Sequence, residues 1–421
     1  MLHMKNSKHD KSYQLIVIGA GSGGLVAAEF GAKLGAKVAL IEATPRLGGE
    51  CLWNGCVPSK ALIHSARAFW QSGHSQQIGV LTEPKLDFNA VMEHIQDSMH
   101  FIEHHHDNDE YFEKRGVDVF HGKAAFIDDS TVRVGEDIFH GRRIIIATGS
   151  SPAIPSIRGL ETVSYLTNET IFSLKKLPKT LTVIGGGPIG CELGQAFAML
   201  GSKVTILQSG SRLLPKDEPE VSEILLNQLK EMGIQIILNA EISAIKSTKQ
   251  GVEISTKQRT IVSEELLIAT GRRPNMPTGL REIGVTTNDQ GIEVDKRMRT
   301  SLKTIYAVGD CNGGVQFTHA AGQAVVAVQN SLLGIPKTFD QSSIPWATFT
   351  TPEIAHFGAT KGKLDSLKQN YQTARINFSD IDKAVTEKES GYIEILTNTR
   401  GSILSATVVG ANASEVLAKL Y

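Results

Sequence analysis

Cysteine is scarce in this 421-residue chain, which has four, far too few for a disulfide scaffold. Any disulfide is therefore expected to be catalytic rather than structural, and the setting cytoplasmic. Net charge is nearly absent as well. The 43 basic and 44 acidic side chains leave a balance of -1, which argues against a charge-driven nucleic-acid binder. No run of about 18 apolar residues occurs, so no membrane span is expected. The first apolar run, residues 15–18, is too short for the core of a signal peptide. What the chain has in quantity is glycine, 40 residues, the mark of tight turns and close backbone approaches in nucleotide-binding α/β proteins. At roughly 150 residues per domain, the length predicts about three domains.

The glycines are concentrated in a unit of strand, glycine turn, helix and strand that occurs twice. In the first copy, a strand over residues 13–18 leads into Gly19-Ala20-Gly21-Ser22-Gly23-Gly24, then a helix over about 25–34 and a strand over 37–41 ending on Glu42. In such a loop the first glycine allows the turn, the second lets the backbone approach a pyrophosphate, and the third lets helix and strand pack closely. A carboxylate at the tip of the next strand then meets ribose hydroxyls, the place of Glu42. In the second copy, a strand over 181–184 is followed by Gly185-Gly186-Gly187-Pro188-Ile189-Gly190, a helix to about residue 200 and a strand over 203–207. The same offset lands there on Gln208, with Arg212 four residues on. A neutral amide beside an arginine tolerates a 2'-phosphate that a carboxylate would repel, so the second site favours NADPH over NADH. Each copy is followed by a buried strand ending Ile-Ala-Thr-Gly, at Thr148-Gly149 and at Thr270-Gly271, as expected of an internal duplication.

Between Glu42 and Gly149 the pattern predicts a helical insertion over about 59–116. Proline-rich joints near 151–155 and 273–277 mark boundaries, and after Pro336 the texture changes to alternating strands over 392–396 and 403–409 around a turn. The predicted fold is α/β, with two Rossmann-like dinucleotide-binding domains and a C-terminal α+β interface module. The domains are placed at 1–150, 151–275, a return segment at 276–337 that completes the first, and 338–421.

The second constellation is Gly48-Gly49-Glu50-Cys51-Leu52-Trp53-Asn54-Gly55-Cys56-Val57-Pro58-Ser59-Lys60. On a regular helix, residues five apart are separated by about 7.5 Å along the axis, beyond the ~7 Å Cα limit for a disulfide. Cys51 and Cys56 can therefore pair only on a distorted segment, which Gly55 permits. Pro58, tolerated in a first helical turn, places a helix start just after Cys56, where the helix-end charge and Lys60 favour a thiolate. Two buried thiols beside a glycine loop are the alternative.

Set between two dinucleotide loops, this segment resembles that of the flavin-dependent pyridine nucleotide-disulfide oxidoreductases, the family of dihydrolipoamide dehydrogenase, glutathione reductase and mercuric reductase. Further matches are Ala269-Thr270-Gly271-Arg272-Arg273-Pro274-Asn275, Tyr306-Ala307-Val308-Gly309-Asp310 and Thr348-Phe349-Thr350-Thr351-Pro352-Glu353. Trp53 between the cysteines is more like the mercuric-reductase-like branch. The resemblance implies that Gly19, Gly21, Gly24, Glu42, Gly49, Thr148, Gly149, Gly309 and Asp310 bind FAD, with Ala124 touching adenine through its backbone. Gly185, Gly187, Gly190, Gln208 and Arg212 bind NAD(P)H. Gly271 and Arg272 complete the cofactor-binding set, and His319 lies near the flavin edge or is a structural histidine. Cys56 is then the flavin-proximal thiol, Cys51 the interchange thiol, and Lys60 with Glu192 the pair that tunes flavin and hydride path. Cys191 and Cys311 are read as packing residues.

The implied function is electron transfer from NAD(P)H through FAD to the Cys51–Cys56 disulfide, and on to a small disulfide or a thiol-bound metal ion. The alternatives are an NAD(P)H oxidase, quinone reductase or diaphorase, and a redox-sensing flavoprotein. The partner is a small-molecule substrate, with neither nucleic acid nor membrane. The family's acid-base His and its Glu lie on a C-terminal tail that this sequence does not reach, ending at Tyr421; with that tail a homodimer is expected. His100, His104, His105 and His106 are read as a solvated helix end, and no resident metal is expected.

Overall fold

The computed structural model describes residues 10–314, 322–341 and 344–420. They divide into two compact units. The first takes those within 10–57, 97–151, 272–314 and 322–341, the second those within 58–96, 152–271 and 344–420.

The first unit is built on a seven-stranded sheet. Its order is Val117–His121, Val38–Glu42, Asp10–Ile18, Asp137–Ile146, Thr131–Val134 and Ala124–Phe126, with Ile305–Ala307 also pairing with Asp137–Ile146. The strands from Val117–His121 to Asp137–Ile146, and Ile305–Ala307, run parallel. Alternation along the first strand explains its two packed faces. Leu15 and Val17 join a cluster with Leu25 and Ala28 of helix Ser22–Lys33, while Ile16 and Ile18 join one with Phe139 and Ile292 on the other face. Each fully buried aliphatic side chain contributes about 1.5–3 kcal/mol.

The second unit repeats the plan. Its parallel sheet has the order Gln235–Ile237, Lys203–Leu207, Thr180–Ile184 and Glu265–Ile268, which is the order of the first four strands of the other sheet. The equivalence reaches individual hydrogen bonds. Gly19 N donates to Ile41 O (2.7 Å) and Gly185 N to Leu207 O (2.8 Å), while Ala147 N donates to Ile18 O (2.7 Å) and Ala269 N to Ile184 O (2.8 Å). An antiparallel ribbon, Ile242–Thr248, Gly251–Thr256 and Thr260–Ser263, covers this sheet.

The C-terminal module of the second unit is a five-stranded antiparallel sheet. Its order is Trp346–Thr348, Glu353–Gly358, Ile403–Gly410, Tyr392–Thr397 and Gln372–Asn377. Helix Ala413–Leu420 packs on it through Ala413 and Leu417.

One expectation needs correction. Helix Ser22–Lys33 starts three residues before the predicted position, because Gly23 and Gly24, read as turn, are already helical. The insertion expected to be helical over 59–116 is so. It consists of helices Cys56–His74, Phe88–His105 and Asp109–Glu113, the first two separated where Gly79 takes φ +86° and Pro84 cannot donate a helical hydrogen bond.

Candidate active site

The first glycine loop is shaped by backbone contacts that leave no room for a Cβ. At Gly19, with φ +100°, a Cβ would lie 2.4 Å from Ala147 O, and at Gly24 it would lie 1.8 Å from Gly19 O. Gly21 is different. It N-caps helix Ser22–Lys33 with no side-chain cap, and the nearest atom to its would-be Cβ is the Gly49 Cα at 3.9 Å. A helix start without a side-chain cap, with room beside its second glycine, is what pyrophosphate binding requires. Gly49, at φ +56°, needs to be glycine because its own Cβ would come within 2.6 Å of the Gly21 Cα. Glu42, buried at the tip of its strand, accepts hydrogen bonds from Ala20 N (2.6 Å), Thr44 N (2.9 Å) and Thr44 Oγ1 (3.0 Å). Gly122 N donates to Glu42 O (2.7 Å), which extends the pairing with Val117–His121 and leaves Ala124 two residues further along the chain.

Asp310 lies in a 3-10 turn, Gly309–Asn312, where it accepts from Ser150 Oγ (2.5 Å) and pairs with Arg272 Nε (3.7 Å). Arg272, 13% exposed, also donates to Ser150 Oγ and O (both 2.7 Å) and pairs with Glu50 (3.3 Å), the neighbour of Cys51. Thr148 Oγ1 donates to Asn275 O (2.6 Å), and Gly149 and Gly309, at φ +65° and +75°, have nothing within 4 Å of a would-be Cβ. Sequence reasoning missed Glu50 and Ser150. It also missed the buried Gln323, whose Oε1 accepts from Gly309 N and Asn312 Nδ2, both at 2.9 Å. His319 lies outside the described residues.

The second loop repeats the first. A Cβ at Gly185 (φ +119°) would sit 2.1 Å from Ala269 O, one at Gly190 would sit 2.0 Å from Gly185 O, and one at Gly187 would meet nothing within 4 Å. Gln208 Oε1 accepts from Gly186 N (2.9 Å) and its Nε2 donates to Arg212 O (3.3 Å). Arg212 Nη2 donates to Pro215 O (2.7 Å), while Nη1 is buried without a hydrogen-bond partner among the described residues. Gly271, at φ +111°, also faces open space. Both loops therefore fit a dinucleotide, and FAD and NAD(P)H are what this pair of cradles would hold.

The cysteines sit at a break between helices. Cys51 is in the short helix Gly49–Trp53 and Cys56 is the first residue of helix Cys56–His74. Asn54 N closes the first helix on Glu50 O (3.0 Å). At Gly55 a Cβ would lie 2.9 Å from Glu50 O, which is why this turn takes glycine. Both cysteines are half-buried. Trp53 donates to Leu47 O (2.6 Å) beneath the Arg46 guanidinium. Lys60, one turn beyond Cys56, donates to Glu192 Oε2 (3.1 Å). Cys191 and Cys311 are fully buried. Burial pushes the Cys191 thiol well above its ordinary range and that of Cys311 up to about 11, so both are inert packing groups.

Residues 13–325 match the family model for pyridine nucleotide-disulphide oxidoreductases, and residues 344–421 match that family's dimerisation domain. The chain is a pyridine nucleotide-disulphide oxidoreductase. It is 33% identical to a mercuric reductase of Bacillus cereus, over 98% of this chain and 67% of that protein. It is 34% identical to the dihydrolipoyl dehydrogenase of Bacillus subtilis, over 96% and 88%. Among solved structures it resembles a Cu(II) complex of the HOCl-induced flavoprotein disulfide reductase RclA from Escherichia coli, at 28% identity and TM-score 0.84, over 97% of this chain and 92% of that one. Membership makes this oxidoreductase an FAD-dependent enzyme that draws electrons from NAD(P)H. Its C-terminal module is a dimerisation domain. Among the described residues, no helix is long and apolar enough to cross a membrane.

Proposed function

We propose that Cys51 and Cys56 are the redox pair of this oxidoreductase, serving a small disulfide or a thiol-bound metal ion. The observation that carries the reading is the helix break that sets Cys51 and Cys56 on either side of Gly55, with Lys60 held by Glu192 one turn further on. FAD would lie on Gly19, Gly21, Gly24, Glu42 and Asp310, with Gly49, Ala124, Thr148, Gly149, Gly309 and Arg272 around it. The coenzyme would lie on Gly185, Gly187, Gly190 and Gln208, near Arg212 and Gly271. Bound FAD supplies the two-electron relay between nicotinamide and cysteine pair. The reduced Cys51 thiolate attacks a substrate sulfur and expels the first thiol. Cys56 then attacks the Cys51 sulfur, releases the second thiol and restores the disulfide. In sum, NAD(P)H, a proton and a disulfide yield NAD(P)+ and two thiols.

A metal ion as acceptor draws support from relatives named for mercuric ion and from the Cu(II) complex of a structural neighbour. The neutral Gln208 supports NADPH over NADH. A homodimer draws support from the dimerisation domain, and a cytoplasmic setting suits a chain with so few cysteines.

The test is anaerobic titration of the flavin-loaded protein with NADPH and, separately, NADH. Two-electron uptake with a long-wavelength absorption band that Cys56→Ser abolishes supports the reading. Bleaching of the flavin without that band, with disulfide turnover unchanged in Cys51→Ser, overturns it in favour of an oxidase or diaphorase.

A further inference from the structure

Three segments of the second unit meet at one point. Helix Cys56–His74 brings Lys60 and, seven residues on, Arg67; helix Pro188–Met199 brings Glu192 and, three residues on, Gln195. Both spacings put their residues on one helix face. The third segment is the turn at 349–351 in the C-terminal module, between strands Trp346–Thr348 and Glu353–Gly358.

Glu192, with its side chain 8% exposed, divides its two oxygens. Oε2 accepts from Lys60 Nζ at 3.1 Å and Oε1 from the main-chain N–H of Phe349 at 2.9 Å. The Lys60 ammonium lies over the Phe349 ring, 4.2 Å from its centroid. The turn is itself clamped. Arg67 Nη2 donates to Phe349 O (3.1 Å) and Thr350 O (2.8 Å), and Gln195 both accepts from Thr351 N and donates to Thr351 O, each at 2.7 Å. Lys60 is 37% exposed and carries a flexible four-carbon stem, so one carboxylate alone would compete with water and rotamer entropy for its position. The aromatic face supplies a second attraction from a fixed direction.

We infer that Phe349 is a positioning residue for the Lys60–Glu192 pair, so that the C-terminal module, beyond dimerisation, sets the ammonium at the redox helix of its own chain. The inference rests on the proposed role of Lys60 and Glu192 in tuning the flavin. Phe349 acts through both partners: its N–H occupies one carboxylate oxygen, so the lysine takes the other, and its ring holds the cation over that oxygen.

The test compares wild type, Phe349→Leu, Phe349→Tyr and Lys60→Met as flavin-loaded full-length proteins. Leucine keeps apolar volume and the main-chain N–H while removing the ring, so the fold is retained; tyrosine restores the ring. The first readout is the rate of reductive methylation at Lys60, by peptide mass spectrometry, relative to the exposed Lys230 in the same molecule. The second is the flavin midpoint potential. In Phe349→Leu the Lys60 to Lys230 ratio should rise at least fivefold and the potential should shift in the same direction as in Lys60→Met. Phe349→Tyr should stay within twofold of wild type. An unchanged ratio in Phe349→Leu, with Lys60→Met still shifting the potential, overturns the positioning role alone. A Lys60→Met potential equal to wild type overturns the tuning role beneath it and, with it, the functional half of the inference, whatever the labelling shows.

Discussion

The two glycine loops share a backbone course and differ in the side chain that closes each of them from the next strand tip. Gly21 and Gly187 cap their helices at the same φ -81° and ψ -175°, and in each loop the third glycine sits against the carbonyl of the first. At the tip of the following strand, a side-chain oxygen accepts from the second loop residue, from Ala20 N in one copy and Gly186 N in the other. In the first copy that oxygen belongs to a carboxylate, in the second to an amide. Duplication preserved the hydrogen bond that shapes the loop while changing the charge at the strand tip. Loop geometry and strand-tip charge are thus separable, one carried by backbone and glycine, the other by a single residue type.

The strongest way to break the symmetry is to put a Cβ into one loop at a time. Gly24→Ala drives a methyl into Gly19 O and Gly190→Ala one into Gly185 O, with backbone on both sides and nowhere to yield. Gly24→Ala should purify without flavin. Gly190→Ala should keep its flavin spectrum but bind coenzyme at least 100-fold more weakly, as read by anaerobic titration. Retained affinity for both ligands would show that the loops are softer than their contacts imply.

Acid should distinguish the two units next. His356, 1% exposed, packs against Trp346, accepts at Nδ1 from Thr407 Oγ1 (2.8 Å) and donates from Nε2 to Gly358 O (3.2 Å). Burial lowers its pKa to about 4 from an ordinary 6.5, so the folded state resists a proton that the unfolded chain accepts. The resulting stability is complete above pH 6.5 and is lost as pH falls toward 4, by on the order of 3 kcal/mol over that window. Urea melts followed by tryptophan fluorescence between pH 7.5 and 4.5 should show this slope, and His356→Gln should flatten it. The Trp346 indole donates to Asp217 (3.0 Å), at the end of the loop that begins at Gln208, so that loop belongs to the unit that acid weakens.

Exchanging the strand-tip residues sharpens the comparison further. Glu42→Gln replaces a charge-assisted hydrogen bond by a neutral one and should weaken flavin retention about tenfold, given about 1.5–3 kcal/mol for bonds to charged groups against about 1 for neutral ones. Gln208→Glu should move coenzyme preference toward NADH by a similar factor, measured as the ratio of kcat/KM values. The smallest effect belongs to Arg212→Ala, a few-fold rise in KM for NADPH with little change for NADH. If NADH suffers equally, the arginine shapes the loop through Pro215 O rather than reading a phosphate.

These loops were legible because a dinucleotide cradle is local. A tight turn, an open helix end and a strand tip are specified within about 25 residues, and the sheet order follows from repeating them. The Cys51–Cys56 break was legible for the same reason, since Gly55 and Pro58 lie within it. The Glu192 carboxylate was expected to meet Lys60, but nothing in residues 349–351 announces that their main chain completes the cluster. Glu50, Ser150 and Arg272 likewise lie 100 or more residues apart in the longer of their separations, and only the return of the chain to the first unit brings them to Asp310. Backbone acceptors and donors have no sequence signature, so a site assembled on them is visible only in three dimensions. The helix boundary error has a simpler origin: Gly23 and Gly24 are poor helix formers, yet their positions are fixed by what must pack against them.

Arg67, Glu192 and Gln195 grip the 349–351 turn only through main-chain atoms. A clamp that reads peptide groups is indifferent to which side chains the turn carries, apart from the aromatic ring at 349. The turn is therefore interchangeable in principle, whereas the module that carries it is not, because Trp346, Lys361 and Arg375 meet Asp217, Glu218 and Glu220 outside the turn. A chimaera that takes residues 349–351 alone from a relative should seat on the same helices, so long as the donor supplies a ring at 349.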